Sequence, residues 1–447
     1  MRKMKDSGIE WIGEIPENWD KGRIKFTLEN HSGGTWGSNE GEDEKDIICV
    51  RVADFDYSHL LVNFHDKMTV RSYPDRVIRE SSIKNGDILL EKSGGGETTP
   101  VGRSVLFNNN EQMMCANFIE WLRPNEQYDS RFLNYWLAAA YINGYSKRDI
   151  KQTTGIQNLD ITAFLSERIA APGIDVQEAI AEYLDKKCAE IDALIASKEK
   201  TNELLKERRQ SIIYEAVTKG LNPDAPMKDS GIEWIGMIPE EWIVCKIKHF
   251  VVDEDGVRIG PFGSALTNRL LENGEYYVYS QANLIAGDFS FTKHTVDEET
   301  FIDLKNYEVI ANDICVSMMG TIGKCMVVPN GIKRGIMDSH LIKIRLKPYV
   351  NPKFFEYVYD KDNSGLCFIQ MKRDSKGTIM DGLNSTIVKN LFFPLPSREV
   401  QDEIVEYLDR KCAEMDTLIS ANEETIQKLK EYRQSIIYEA VTGKIEI

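Results

Sequence analysis

The sequence predicts an α+β chain built as a pseudo-twofold tandem duplication, with two mixed α/β domains separated by two long antiparallel coiled-coil helices. Three observations carry that prediction. Residues 4–19 (MKDSGIEWIGEIPENW) and 227–242 (MKDSGIEWIGMIPEEW) match at 14 of 16 positions, at an offset of 223. Residues 176–218 and 400–442 share 29 of 43 residues at an offset of 224, ending in RRQSIIYEAVT and YRQSIIYEAVT. The stretches between them are not recognisably alike. A period near half of 447 residues marks a domain duplication, because solenoid units run about 20–50 residues. The expected order is a short motif (1–19), a variable domain (20–170), a helix segment (171–222), the motif again (223–242), a second variable domain (243–395) and a second helix segment (396–447).

The repeated segments 176–218 and 400–442 contain no Pro or Gly and are rich in Ala, Glu, Lys and Leu. A seam with alternating spacings of four and three runs through Ile180, Leu184, Lys187, Ile191, Leu194, Lys198, Thr201, Leu205, Arg208 and Ile212. In the second copy it runs through Ile404, Leu408, Lys411, Met415, Leu418, Asn422, Thr425, Leu429, Tyr432 and Ile436. Pro172 and Pro396 stand just upstream, and Asp175 with Glu178 resembles a capping box. Gly220 and Gly443 follow the last turns. Forty-odd residues at ~1.5 Å each give a rod of roughly 60 Å. The two helices are expected to pair with each other, since duplication supplies a partner at high effective concentration. Homodimerisation through each seam is the alternative.

The variable domains carry β-rich runs at 46–55, 86–94, 275–284, 313–320 and 340–346, and helical runs at 131–145 and 352–360. One correspondence links them. Asn85-Gly86-Asp87-Ile88 matches Ala311-Asn312-Asp313-Ile314, and Val101-Gly102-Arg103 matches Ile322-Gly323-Lys324. The offset falls from 226 to 221 between these points, so the first domain has the longer loop. Specificity belongs in such a tip.

No run of 18 apolar residues occurs, so no membrane span is expected, and residues 1–15 lack the apolar stretch of a signal peptide. Eight cysteines in no close pairs suggest reduced thiols and a cytoplasmic location. A net charge of −16 argues against a free-standing, non-specific nucleic-acid binder. The charge is uneven: residues 20–170 carry −4, residues 243–396 are neutral, and the remaining −12 lies in the repeated frame and tails. An acidic frame suits docking onto protein. Near-neutral variable domains would need a partner to gather phosphates.

Catalytic motifs are missing. There is no G-x-G-x-x-G before a helix, no phosphate-binding P-loop and no H-E-x-x-H, and the six histidines have no ligand spacing, so neither catalytic residues nor a metal site is assigned. Small-residue loops are more informative, because Gly permits close backbone approach while Thr, Gln, Asn, Lys and Arg address base edges and phosphates. In the first domain the DNA-contact candidates are Thr35, Trp36, Lys92, Ser93, Gly95, Thr98, Arg103, Lys151, Gln152, Thr154 and Gln157. In the second they are Arg258, Phe262, Ser264, Gln281, Asn283, Thr321, Lys324, Lys372, Arg373, Lys376 and Thr378.

Taken together, the KDSGIEWIG-x-IPE-x-W segments, the VQ-x-x-I-x-EYLD helix starts, the RQSIIYEAVT helix ends, and the NGDILLEKSG and GTIGK loops resemble the specificity subunit of type I restriction–modification systems over essentially the whole chain. The resemblance implies that each variable domain is a target-recognition domain binding half of a split, asymmetric double-stranded DNA site. It implies that the helices act as spacer and as docking surface for two modification subunits, which bind S-adenosylmethionine and methylate adenine. Restriction subunits, where the system includes them, bring ATP- and Mg2+-dependent translocation and cleavage. No cofactor is then expected on this chain. The alternative is a coiled-coil scaffold that binds no particular DNA sequence.

Overall fold

A computed structural model describes residues 2–153, 155–253, 256–262, 264–374 and 383–447. The chain resolves into two compact units, Met1–Lys198 with Glu423–Ile447, and Glu199–Asn422. Each unit holds one copy of the short motif, one variable domain, the first half of the long helix that follows that domain, and the last half of the other long helix.

In the first unit, strands β1 (Met4–Asp6) and β2 (Glu14–Pro16) form a hairpin, followed by β3 (Asp20–Arg23), β4 (Leu28–Gly33), β5 (Lys45–Val50), β6 (Phe55–Asp56), β7 (Leu61–Val62) and β8 (Val70–Tyr73). Next come α1 (Asp75–Ser81), β9 (Ile88–Glu91), β10 (Ser93–Gly94), β11 (Ser104–Leu106), β12 (Met114–Cys115), β13 (Ile119–Pro124) and α2 (Ser130–Ile142). Hairpin β14 (Ile150–Thr153) and β15 (Ile156–Leu159), α3 (Ile161–Ser166) and β16 (Arg168–Ala171) lead into α4 (Ile174–Lys219). The main sheet has the order β4-β13-β9-β11-β7-β6, a second sheet is β12-β5-β8, and a third is β10-β15-β14. Antiparallel pairing of β16 with β3 closes the domain where it meets the helix.

The second unit contains β17 (Met227–Asp229), β18 (Met237–Pro239), β19 (Ile243–Lys246), β20 (Val257–Ile259), α5 (Ser264–Thr267), β21 (Tyr276–Tyr279), α6 (Gln281–Ala286), β22 (His294–Val296) and α7 (Glu298–Asp303). It continues through β23 (Ile314–Ser317), β24 (Cys325–Val327), β25 (Gly335–Met337), β26 (Leu341–Ile344), α8 (Pro352–Tyr359), α9 (Leu366–Asp374), α10 (Ser385–Asn390) and β27 (Phe392–Leu395) to α11 (Arg398–Val441). Its sheets β20-β26-β23-β24 and β22-β21-β25 repeat the order of β4-β13-β9-β11 and β8-β5-β12. Domains whose sequences no longer align therefore share one strand plan.

The surviving sequence match explains part of this. Gly86 and Asn312 both adopt left-handed φ, +92° and +69°, in the turn that enters the central strand. Asp87, just after the first turn, takes a bidentate bond from Arg123 at 2.8 and 2.7 Å, and Asp313 takes one from Arg345 at 2.7 and 2.8 Å. The run expected to be β at 275–284 is half helical. The Ser280 hydroxyl accepts from the Ala282 amide, and the Asn283 side chain accepts from the Ser280 amide, so α6 starts there.

The long helices span 46 and 44 residues and pair antiparallel within each unit. In the first unit Ile191 and Ile195 pack with Ile426 and Leu429. In the second, the Asn422 side-chain amide donates to the Asn202 carbonyl at 2.8 Å. The seam corrects the sequence reading at every second position. Ile180, Leu184, Ile191, Ile404, Leu408, Met415 and Ile436 are buried, and Leu205, Ile212 and Leu429 are half-buried as expected. Leu194 and Leu418 are each 54% exposed, whereas Ile195 and Ile419 are buried. The true alternate positions are Cys188, Ile195, Asn202 and Arg209, and Cys412, Ile419, Ile426 and Arg433. Adjacent apolar residues made both registers readable, and polar types at 202, 209 and 433 hid the correct one.

Helix α4 begins at Ile174, so Asp175 lies inside its first turn and forms no capping box. Gln177 does the anchoring instead: it donates to Pro172 O (2.8 Å) and Gln127 O (3.1 Å) and accepts from the Asp129 amide (3.1 Å). Gln401 repeats this with Pro396 O (2.9 Å), Tyr349 O (3.3 Å) and the Asn351 amide (2.7 Å). Gly220 and Gly443 end the helices with φ +73° and +68°.

The short motif docks on a helix end. Ile9, Ile12, Ile15 and Trp19 share a core with Ile436, Ile437, Ala440 and Val441, and Tyr438 donates its hydroxyl to Trp11 O. Ile235, Ile238 and Trp242 do the same with Ile213, Ala216 and Val217, and Tyr214 donates to Trp234 O.

Candidate nucleic-acid interface

In the first unit three chain segments expected to touch DNA converge at one end of the main sheet. Ser93 pairs with Asn158 across β10 and β15, and its hydroxyl donates to the Asn158 carbonyl at 2.7 Å. The Leu159 amide donates to Lys92 O, so the β14–β15 hairpin is fixed to the end of β9. A Cβ added at Gly33 would fall on the Lys92 Nζ, which places the segment carrying Thr35 and Trp36 beside it.

The cations in this cluster are held from inside. Lys92 donates to buried Glu120 at 2.9 Å, and His31 bonds the other Glu120 oxygen at 2.8 Å. Arg103 donates to buried Glu91 at 3.0 Å and lies 3.7 Å from the Tyr57 ring centre. Burial, with the charge of Glu91 beside it, pushes the Tyr57 phenol far up. Lys151, 72% exposed, donates to Asp160, a hydrogen bond that holds that carboxyl below its ordinary value. Gln157 is a correction: it is buried, and its carbonyl accepts from the Val101 amide at 3.3 Å, so it shapes the loop and cannot touch DNA. Thr35, Trp36, Gly95, Thr98, Lys151 and Gln152 are exposed. Thr154 lies outside the described residues.

The second unit assembles a comparable cluster. Gln281 donates to Met319 O (2.7 Å) and to the Thr321 hydroxyl (2.8 Å), which fixes the 318–323 loop. Met319 and Phe262 are 55% and 67% exposed. Lys324 sits 3.5 Å from Asp362, Arg258 faces the Tyr307 ring, and Lys372 faces the Phe368 ring. Asn283 is corrected for the reason Gln157 is: it is 1% exposed and donates to Asp288 O and Phe291 O. The backbone of Ser264 opens α5, and its side chain lies outside the described residues, as do Lys376 and Thr378.

Sequence reasoning missed Arg148. It bonds Glu10 at 2.8 Å, and its counterpart Arg373 bonds Glu233 at 2.5 Å, so in each unit the segment entering the third loop is latched to the short motif. The signal was present: Lys147-Arg148-Asp149 recurs as Lys372-Arg373-Asp374 at an offset of 225. Arg71, whose guanidinium lies 4.2 Å from the Trp36 ring and bonds Asn39 at 2.7 Å, had no local signal. Among the described residues no group of three His, Cys, Asp or Glu is placed to hold a metal ion, and no helix is long and apolar enough to cross a membrane.

A repeated frame carrying two unlike sets of polar loops is the build of a protein that makes two different selections at once. The family model described as the type I restriction modification DNA specificity domain matches residues 16–207 and 262–430. The StySPI type I specificity subunit of Salmonella potsdam is 24% identical over 449 residues, spanning 97% of this chain and 90% of that protein. The MjaVIII specificity subunit of Methanocaldococcus jannaschii is 24% identical over 392 residues, 83% of this chain and 81% of that one. Among solved structures, a chain of a type I restriction–modification system matches with a TM-score of 0.70 at 14% identity, covering 96% of this chain and 99% of its own. The HsdS subunit of Thermoanaerobacter tengcongensis matches at 0.50 and 14%, covering 96% and 98%. The chain belongs to the type I restriction–modification DNA specificity family, and it has that family's fold.

Proposed function

We propose that this chain directs a type I restriction–modification complex to a bipartite, asymmetric DNA site. The domain at 20–170 reads one half and the domain at 243–395 the other. Two modification subunits dock on α4 and α11, and the complex works in the cytoplasm. S-adenosylmethionine is expected on the modification subunits, and ATP with Mg2+ on restriction subunits where these are present. This chain contributes recognition and geometry to a methyltransferase and endonuclease complex and no bond-making step.

The observation that carries the proposal is the contrast between frame and tips. The two domains share a strand order and an Asp–Arg pair at the same turn, yet they present Thr98, Lys151 and Gln152 in one and Met319 and Thr321 in the other. Matched scaffolds with unlike tips suit two unlike half-sites, since base edges are read by side-chain donors and acceptors held in place by backbone contacts.

The test is to exchange residues 20–170 for the corresponding domain of another specificity subunit and sequence the methylome of cells expressing the whole complex. One half-site is expected to change and the other to persist. A change in both halves, or a wild-type complex with no split methylated motif, refutes the proposal, and the second outcome would favour a scaffold role.

A further inference from the structure

The two domains keep one exposed feature in common where their tips otherwise differ. Gly34 donates its amide to Ile119 O at 2.8 Å, and Gly260 donates to Leu341 O at 3.0 Å, at the same place in the matched sheets. A Cβ at Gly34 would lie 2.3 Å from Ala116 O, and one at Gly260 would lie 1.8 Å from Asp338 O, so neither position admits a side chain. Two residues beyond each glycine stands an aromatic ring, Trp36 in one domain and Phe262 in the other, 37% and 67% exposed. The segments read Gly34-Thr-Trp-Gly-Ser and Gly260-Pro-Phe-Gly-Ser, at a constant offset of 226.

The first elbow is rigid. The Thr35 amide donates to Cys115 O, Tyr73 donates its hydroxyl to Thr35 O at 2.9 Å, and the Ser38 amide donates to Ser72 O. An aromatic side chain held out on a pinned elbow is positioned for a ligand. Trp36 has the Arg71 guanidinium 4.2 Å from its ring, a cation–π contact that holds the indole in place. Because Glu42 and Asp43 bond the same segment at Asn39 and Ser38, the ring itself is what the elbow offers a ligand. The identity of the ring differs between domains while its aromatic character does not. That is the tolerance expected of base stacking, because every base has a π-face, and it is not the tolerance expected of a hydrogen-bonding reader.

We propose that Trp36 and Phe262 are a matched pair of base-stacking residues, one per domain, that grip the DNA without regard to sequence while the divergent loops beside them select it. The proposal rests on the bipartite-reader assignment above and adds a division of labour within each site. The ring lies against a base at a step that opens in the complex, by wedging or by filling the space beside a displaced base.

Trp36→Ala and Phe262→Ala, made in the full chain and assembled with its modification subunits, test this. Binding is measured on a duplex carrying the motif the wild-type complex methylates and on a scrambled duplex, with 2-aminopurine at successive half-site positions. Each substitution is expected to weaken binding about tenfold on both duplexes, and the pair roughly a hundredfold. The methylated motif should stay the same, the 2-aminopurine quenching next to the missing ring should disappear, and Trp36→Tyr should keep most of the affinity. Affinities within about twofold of wild type overturn the proposal. So does an altered half-site, which would make the rings sequence readers. Lost assembly with DNA affinity intact in the bare chain also overturns it and points to protein docking. A wild-type complex without a split motif sinks the parent assignment, whereas a split motif with indifferent variants sinks this inference alone.

Discussion

Replacing Gln401 with Ala tests whether each recognition domain is fixed to its helix by a built joint. Gln401 is completely buried, and its amide makes three bonds, to the Asn351 amide (2.7 Å), Pro396 O (2.9 Å) and Tyr349 O (3.3 Å). The truncation strips one donor and two acceptors of their partner. Leaving a buried polar group unsatisfied costs about 1–3 kcal/mol. Tyr349 is half exposed, so water can reach its neighbourhood and two groups carry most of the loss. The expected destabilisation of the second unit is then roughly 2–5 kcal/mol, or a fall of about 5–15 °C in its melting temperature. Gln177→Ala should cost the first unit a similar amount, because Gln177 makes the same three bonds to the Asp129 amide, Pro172 O and Gln127 O. Urea unfolding supplies the free energies, and hydrogen exchange at the Asn351 and Asp129 amides locates the damage. A loss below about 0.5 kcal/mol in either variant, or unchanged protection at those amides, would refute the joint.

Other consequences can be measured separately. Asn202→Ile combined with Asn422→Leu replaces a polar pair in the seam of the second unit and should raise that unit's stability by about 1–2 kcal/mol in urea, with a stricter demand on neither register nor partner. Asp149 has one carboxylate oxygen buried without a partner, and burial, reinforced by Glu167 and Asp160, pushes its pKa up to about 6. A carboxyl raised in the fold binds its proton more tightly there than in the unfolded chain. Stability of the first unit should therefore fall as pH rises through the window from about 4 to about 6, and Asp149→Asn should flatten that window in thermal melts and stabilise the unit at pH 7. Inserting one heptad into both α4 and α11 preserves the seam and adds ~10 Å of helix, which should lengthen the spacer of the methylated motif by about three base pairs and leave both half-sites unchanged.

The parts of this molecule that sequence revealed are those where a residue is constrained by its own neighbours or by its copy. The frame was legible because it is written twice, and the helix ends because Gly220 and Gly443 can adopt the left-handed conformation their stops require. The seam was half legible: Leu194 and Ile195 are both apolar, and only packing decides that Ile195 faces the partner. The shared strand order of the two domains was hidden because pairing is set by distant hydrogen bonds, such as β13 with β9 and β26 with β23, and not by residue identity. The same reason governs the loops. Lys92 and Arg103 read as phosphate contacts until their buried partners, Glu120 and Glu91, come into view from other strands.

That last point alters what the charge of the chain means. The neutral count for residues 243–396 and the −4 for residues 20–170 do not describe loops bristling with free cations balanced by remote acids. Lys92, Arg103 and Lys151 each already contact a carboxylate in the first unit, as do Lys324 and Arg373 in the second. Lys92 and Arg103 are committed to buried carboxylates and release no counterion when a phosphate approaches, so these two side chains add little to the salt-dependent part of DNA affinity. Their work is to hold loop backbones still, which serves discrimination between bases. Affinity, under the proposed assignment, comes in large part from stacking surfaces and from positive charge on other subunits, which an acidic frame is suited to recruit by complementary charge. Under the proposed assignment, a chain that reads well but grips weakly is what a separable specificity subunit requires, since it would act on DNA only in the company of the subunits whose chemistry it directs.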